Sequence, residues 1–141
     1  MDAVDSAAAG SAGASKGTGF LLRESLRDGQ VPADLPGLRV TEESVIDATD
    51  AADWQPREWH GVAFEVDLAA TDETTAAEAL RRAMRPRWYL NFDTPSTRYV
   101  IFNGRIFQAP RSDAAAVTAA SEAAKAHGRA LGIPETQLDG C

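Results

Sequence analysis

The sequence predicts an α+β domain. It should hold a largely antiparallel sheet with a C-terminal three-strand meander, and helices packed mainly on one face, in the order α-β-β-α-β-β-β-α. Three observations predict this. Residues 58–68 alternate apolar and polar side chains with the period of a strand. The stretch Arg87–Pro110 holds the densest aromatics and an Asn-Gly pair between two apolar runs. Runs of strands with few helices between them argue for α+β.

Residues 1–17 are small and polar without periodicity, and read as a disordered Ala/Gly/Ser-rich tail. The remainder, 18–141, reads as one domain, a size that buries enough surface to fold without staples. Thr18 to Asp28 reads as a short helix, capped by Thr18 and stopped by Gly29. Pro32 and Pro36-Gly37 mark a loop. Leu38 to Ala48 reads as a strand whose alternation slips between Val40 and Val45, as an edge strand or a bulge would. A polar loop with Trp54 and Pro56 leads into the strand Glu58–Leu68. Asp72 or Thr75 starts a helix, with Thr75 and Glu78 at capping-box spacing, and Pro86 ends it.

The meander follows. Asn103-Gly104 predicts a type I′ turn, in which both central residues have positive φ. This turn pairs Ile101 with Ile106, Val100 with Phe107 and Tyr99 with Gln108. A five-residue loop over Asp93–Thr97 pairs Phe92 with Arg98. Trp88, Leu90, Phe92, Val100, Phe102 and Phe107 then share the core face, and Tyr89, Asn91, Tyr99, Ile101, Ile106 and Gln108 the other. Ser112 should cap a last, alanine-rich helix over 113–131, stopped by Gly132. One more turn should pack Leu138.

The formal net charge is −7. Seven arginines and only Asp93 lie between Arg81 and Arg111, a local balance of +6 against seven basic and twenty acidic residues elsewhere. The bland reading pairs these arginines with the chain's own acids. The sharper one is an anion-binding patch at Arg81, Arg82, Arg85 and Arg87. The acidic total disfavours nucleic acid as a partner. The single cysteine, Cys141, permits no internal disulfide and reads as an exposed thiol. The start lacks the features of a secretory signal, and no apolar run reaches the length of a membrane span. The expectation is a cytoplasmic protein with no metal, cofactor or membrane partner.

The segments GFLLRESL, WYLNF, YVIFNGRIFQAPR and AHGRALGIPETQLD resemble those of a family of small bacterial proteins of unknown function. The resemblance spans most of the chain after residue 18 and implies no activity. His60 stands where that pattern leads one to expect Thr or another non-ionisable residue. Asp139-Gly140-Cys141 stands where a Trp is expected after the Asp.

No nucleophile motif, phosphate loop or calcium-loop spacing occurs. The leading reading is a non-catalytic binding protein using an aromatic and amide sheet face: Trp59, Tyr89, Asn91, Tyr99, Ile101 and Gln108. Its partner would be a protein, a second copy or a small molecule. The alternative is a small-molecule enzyme of isomerase, cyclase or hydrolase type, with His60 as acid/base supported by Glu65 and Tyr89. A weaker alternative is phosphate or RNA binding by the Arg81–Arg87 cluster.

Overall fold

A computed structural model describes residues 15–141. The elements are β1 (Lys16–Leu22), β2 (Leu38–Asp47), β3 (Glu58–Asp67), α1 (Glu73–Ala83), β4 (Tyr89–Asp93), β5 (Thr97–Phe102), β6 (Ile106–Pro110) and α2 (Ala114–Ala130). Short 3-10 turns follow β1 at Arg23–Ser25 and close the chain at Glu135–Gly140. The strands form one antiparallel sheet ordered β2-β3-β1-β4-β5-β6. The α+β class stands, with a strand in the place of the first expected helix. No helix among the described residues is long and apolar enough to cross a membrane.

That first element is the sheet's central strand. β1 pairs with β3 on one side and β4 on the other. Its sequence, KGTGFLL, hides a strand because the positions facing the core are glycines until Leu21. A Cβ at Gly17 would lie 2.4 Å from the Phe92 ring, and one at Gly19 2.4 Å from the Phe64 ring and 2.6 Å from the Asn91 carbonyl. Phe64 and Phe92 therefore fill the space that β1 leaves empty, their rings stacked at 6.2 Å. Lys16 and Gly17, expected in the tail, belong to this strand; the rest of the tail up to residue 14 lies outside the described residues.

β2 is an edge strand, and its register shifts between Val40 and Glu42, as the slip in its alternation predicted. The Asn103-Gly104 hairpin has the expected pairing, Ile101 with Ile106 through Tyr99 with Gln108. Its turn is not type I′, because neither Asn103 nor Gly104 has a positive φ. Tertiary bonds hold it instead: Asn103 Nδ2 donates to the Met84 carbonyl at 2.8 Å, and Arg81 Nη1 donates to the Asn103 carbonyl at 2.9 Å.

The β4–β5 register is one residue away from expectation. Asp93 pairs with Arg98, Phe92 with Tyr99 and Leu90 with Ile101. The buried Thr94 side chain shortens the loop, its Oγ1 accepting from the Ser96 and Thr97 amides at 3.2 and 2.9 Å. Such a hydroxyl-mediated turn competes with the longer loop. A one-residue slip exchanges faces. Leu90 and Phe92 thus share a face with Tyr99 and Ile101, and Tyr89 and Asn91 share the other with Val100, Phe102 and Phe107.

The sheet consequently has two cores. On one face α1 packs over Leu21, Phe64, Phe92, Tyr99 and Ile101. On the other α2 packs over Val100, Phe102 and Phe107, joined by Leu138 and Cys141. The helices lie on opposite faces, not mainly on one. α1 is capped by Asp72, whose Oδ1 accepts from the Thr75 amide at 2.8 Å, and α2 by Asp113, not Ser112. Gly132 ends α2 at φ 84°. Leu138 is fully buried, as expected of the last turn.

One side chain differs from expectation here. Cys141 is buried against the second core rather than exposed, and burial pushes its thiol upward. His127, near the end of α2, packs edge-on to Phe102 at 4.6 Å, and burial, with a smaller contribution from Arg105, lowers its pKa.

Candidate functional site

α2 covers the second face over β5 and β6, and the C-terminal turn meets it at β4. The β1–β3–β2 half of that face carries no helix. Register places Phe20 beside Ala63 and Asn91, Leu22 beside Gly61, and Ile46 beside Trp59, all on this face. Gly61 matters sterically: a Cβ there would sit 2.6 Å from Phe20 Cζ, so the Phe20 ring lies across the strand. That ring is 43% exposed, unusual for a phenylalanine in the middle of a sheet.

The C-terminal turn Glu135–Gly140 forms the opposite wall. Tyr89 Oη donates to the Gln137 carbonyl, and Asn91 Nδ2 donates to the Gly140 carbonyl. Arg98 Nη2 adds a second donor to Gly140 at 3.2 Å. A Cβ at Gly140 would lie 2.9 Å from the Tyr89 hydroxyl, so a larger residue there would displace that contact. The Gln137 and Gln55 side-chain amides each donate a hydrogen bond to the other's oxygen at 2.8 Å, and Thr136 Oγ1 donates to Asp50 Oδ2 at 2.6 Å. The strap is thereby tied both to β4 and to the β2–β3 loop.

Between strap and sheet lies a cavity of about 340 Å³. Phe20, Leu22, Ile46, Trp59, Trp88 and Ile133 supply its apolar walls, and Tyr89, Asn91, Gln55 and Gln137 its polar ones. The volume falls within the roughly 300–1,000 Å³ of small-molecule sites. Trp88 stands edge-on to both Trp54 and Trp59, at 5.6 and 5.9 Å, which fixes the aromatic corner. Most polar groups are already engaged. Trp59 Nε1 donates to the Pro56 carbonyl at 2.8 Å. Burial first, and the neighbouring Cys141 second, hold the Tyr89 phenol far above its ordinary pKa, so it stays protonated. Asn91 Oδ1 takes no hydrogen bond from the described residues and remains a free acceptor.

Of the six expected binding residues, Trp59, Tyr89 and Asn91 come together in this cavity. Tyr99 and Ile101 do not, because the register slip carries them to the opposite face. Both are buried in the core beneath α1, with Tyr99 Oη donating to Glu73 Oε1 at 2.8 Å. Gln108 is exposed on that opposite face, at the β6 edge. Phe20, Leu22 and Ile46 complete the cavity without belonging to the expected set. The alternation Thr18-Phe20-Leu22 carries the signal for Phe20 and Leu22, and it competes with the helix-cap signal of Thr18.

His60, Glu65 and Tyr89 do not converge. His60 is half exposed, and its Nδ1 meets Glu24 Oε2 at 2.6 Å while its amide donates to Glu24 Oε1 at 2.8 Å. The Glu24 hydrogen bond raises the His60 pKa. Glu65 lies five residues along β3 and on the other face, about 16 Å away by strand rise. It pairs with Arg39 at 2.7 Å and Lys16 at 3.5 Å. Neither His60 nor Glu65 lines the cavity that holds Tyr89.

The arginine cluster largely serves the fold. Arg81 binds Glu78 and the Asn103 carbonyl, and Arg85 donates to the Leu26 and Arg27 carbonyls. Arg87 Nε donates to the Leu131 carbonyl at 2.9 Å, with its guanidinium 4.2 Å above Trp54. Backbone carbonyls, more than carboxylates, are the partners. Arg82 is exposed and does not face the same surface groove as Arg87. No group of three His, Cys, Asp or Glu able to hold a metal occurs among the described residues. No family model, curated protein or solved structure matches the chain, so the site stands on its own geometry.

Proposed function

We propose that this is a non-catalytic binding protein that takes a small, largely apolar molecule between the uncovered half of the sheet and the C-terminal strap. The observation that carries this reading is the open Phe20 ring at the floor of an aromatic cavity of about 340 Å³. Burying such a surface is worth about 25 cal/mol per Å² of apolar area. The amides and the indole in its wall are mostly bonded within the protein, so they shape the cavity rather than act as acid or base.

Self-association through the free edge of β2 is the weaker reading. Antiparallel pairing of β2 with a second copy about its midpoint would set Glu42 against Glu43, and like charges directly opposite are unfavourable. The bulge between Val40 and Glu42 also twists that edge, a common protection against strand addition.

The test is energy transfer from tryptophan to the neutral probe N-phenyl-1-naphthylamine. The expected result is saturable one-to-one binding, weakened at least tenfold in Phe20→Ser with its fold intact by circular dichroism. Equal affinity in Phe20→Ser, or no saturable binding in either protein, would refute the reading.

A further inference from the structure

We infer that the cavity selects an organic anion: a planar apolar body carrying one carboxylate, which Arg87 receives at the rim. The inference rests on the binding reading above and adds the charge of the ligand.

Arg87 lines the cavity, and Asp50 is the other charged residue that does. Their states differ. Asp50 Oδ2 already accepts from Thr136 at 2.6 Å, and its carbonyl accepts from Gln137 Nε2 at 3.1 Å, so it ties the strap to the loop. Arg87 uses one of its five donors, Nε, on the Leu131 carbonyl. None of the ion pairs among the described residues includes it. Its Nη groups therefore present unspent N–H donors beside an apolar wall. A guanidinium fork matches a carboxylate with two parallel hydrogen bonds.

Arg87 is also held in place. It is the only non-glycine among the described residues with a positive φ, 74°. L-residues avoid that region, and strained backbone persists where the surroundings over-determine it. Here Pro86 precedes it, Trp54 stacks beneath its guanidinium at 4.2 Å, and Gly132 leaves room for Nη2. A Cβ at Gly132 would approach Nη2 to 2.8 Å. Capping the Leu131 carbonyl accounts for Nε alone. A preorganised fork loses little side-chain freedom on binding, which is how such a contact discriminates charge.

The remaining polar group fits the same ligand. Asn91 Oδ1 is a free acceptor in the cavity wall, and suits a ring N–H or hydroxyl on the apolar body. Trp59 and Phe20 add aromatic surface to the same lining.

Calorimetric titration of three matched compounds decides this: 2-naphthylacetate, 2-(2-naphthyl)ethanol and 2-(2-naphthyl)ethylammonium. The acetate is expected to bind at least about tenfold tighter than the alcohol, with affinity falling as salt rises. The ammonium should be weakest. Arg87→Gln should bring acetate and alcohol to within about twofold of each other, and Arg87→Lys should restore part of the preference. The wild-type series decides even where Arg87→Gln does not fold. Equal binding of acetate and alcohol overturns the anion inference while leaving the binding reading intact. Tightest binding of the ammonium overturns it in favour of Asp50. Failure of all three to bind, together with failure of the neutral probe, removes the binding reading as well.

Discussion

Gly19→Ala is the most informative single change to the fold. The added methyl would lie 2.4 Å from Phe64 Cζ and 2.6 Å from the Asn91 carbonyl oxygen. Phe64 is only 1% exposed and stacks on Phe92, so its ring has nowhere to go. The carbonyl belongs to β4, the neighbour that β1 pairs with at Phe92. Overpacking of a tight core costs about 1–3 kcal/mol, and contact with backbone favours the upper end. Alanine recovers about 0.5–1 kcal/mol by restricting the unfolded chain. The net expectation is a loss of about 2 kcal/mol, or about 6 °C in Tm for a chain of this size. Gly104→Ala is the control, since nothing lies within 4 Å of its added methyl and its φ is not positive. Urea unfolding followed by tryptophan fluorescence gives both values. Phe64→Leu should be less damaging in the Gly19→Ala background than alone, because it relieves the same contact. Equal stability of the Gly19 and Gly104 variants would refute the placement of β1 at the centre of the sheet.

The two histidines should titrate on opposite sides of 6.5 in NMR. His60 is raised by its Glu24 hydrogen bond, and His127 is lowered by burial. The stabilisation from the raised His60 is complete below pH 6.5 and fades as pH climbs through its folded value. Glu24 is pushed up by burial but lowered on balance by the His60 ring and amide, so its share is complete above about 4.5 and fades on acidification. The pair therefore contributes most between about pH 4.5 and 6.5, and His60→Gln should remove a stability maximum there; an unchanged pH profile would count against the contact. His127 works the other way, with stability falling as pH drops through 6.5 because the unfolded chain binds the proton more readily. Tyr89→Phe should cost about 1 kcal/mol and speed amide exchange in the strap, because the bond to the Gln137 carbonyl is lost. Cys141 should react with a thiol reagent only on unfolding, given its burial and raised pKa; a fast native reaction would contradict its packing.

Local signals read well where one residue decides the outcome. The slip in β2, the Ile101–Ile106 register and the burial of Leu138 are all visible in the sequence. β1 was illegible because its inward positions, Gly17 and Gly19, are empty by design of their neighbours Phe92 and Phe64. Strand alternation cannot register a glycine whose partner ring arrives from another strand. The site was half legible for a related reason. Trp59, Tyr89 and Asn91 line one cavity, but the Thr94 hydroxyl shortens one loop by a residue and sends Tyr99 and Ile101 to the other face. The strap's role depends on bonds across nearly fifty residues, Tyr89 to Gln137 and Asn91 to Gly140, which no local pattern encodes.

The most direct test of the binding account is a ¹H–¹⁵N spectrum recorded during titration with 2-naphthylacetate. Shifts should saturate together at Phe20, Leu22, Ile46, the Trp59 indole and the Asn91 side-chain amide, the residues that line the cavity. Saturating shifts centred instead on His60 and Glu24, or on the face beneath α1 that holds Tyr99 and Ile101, would contradict it.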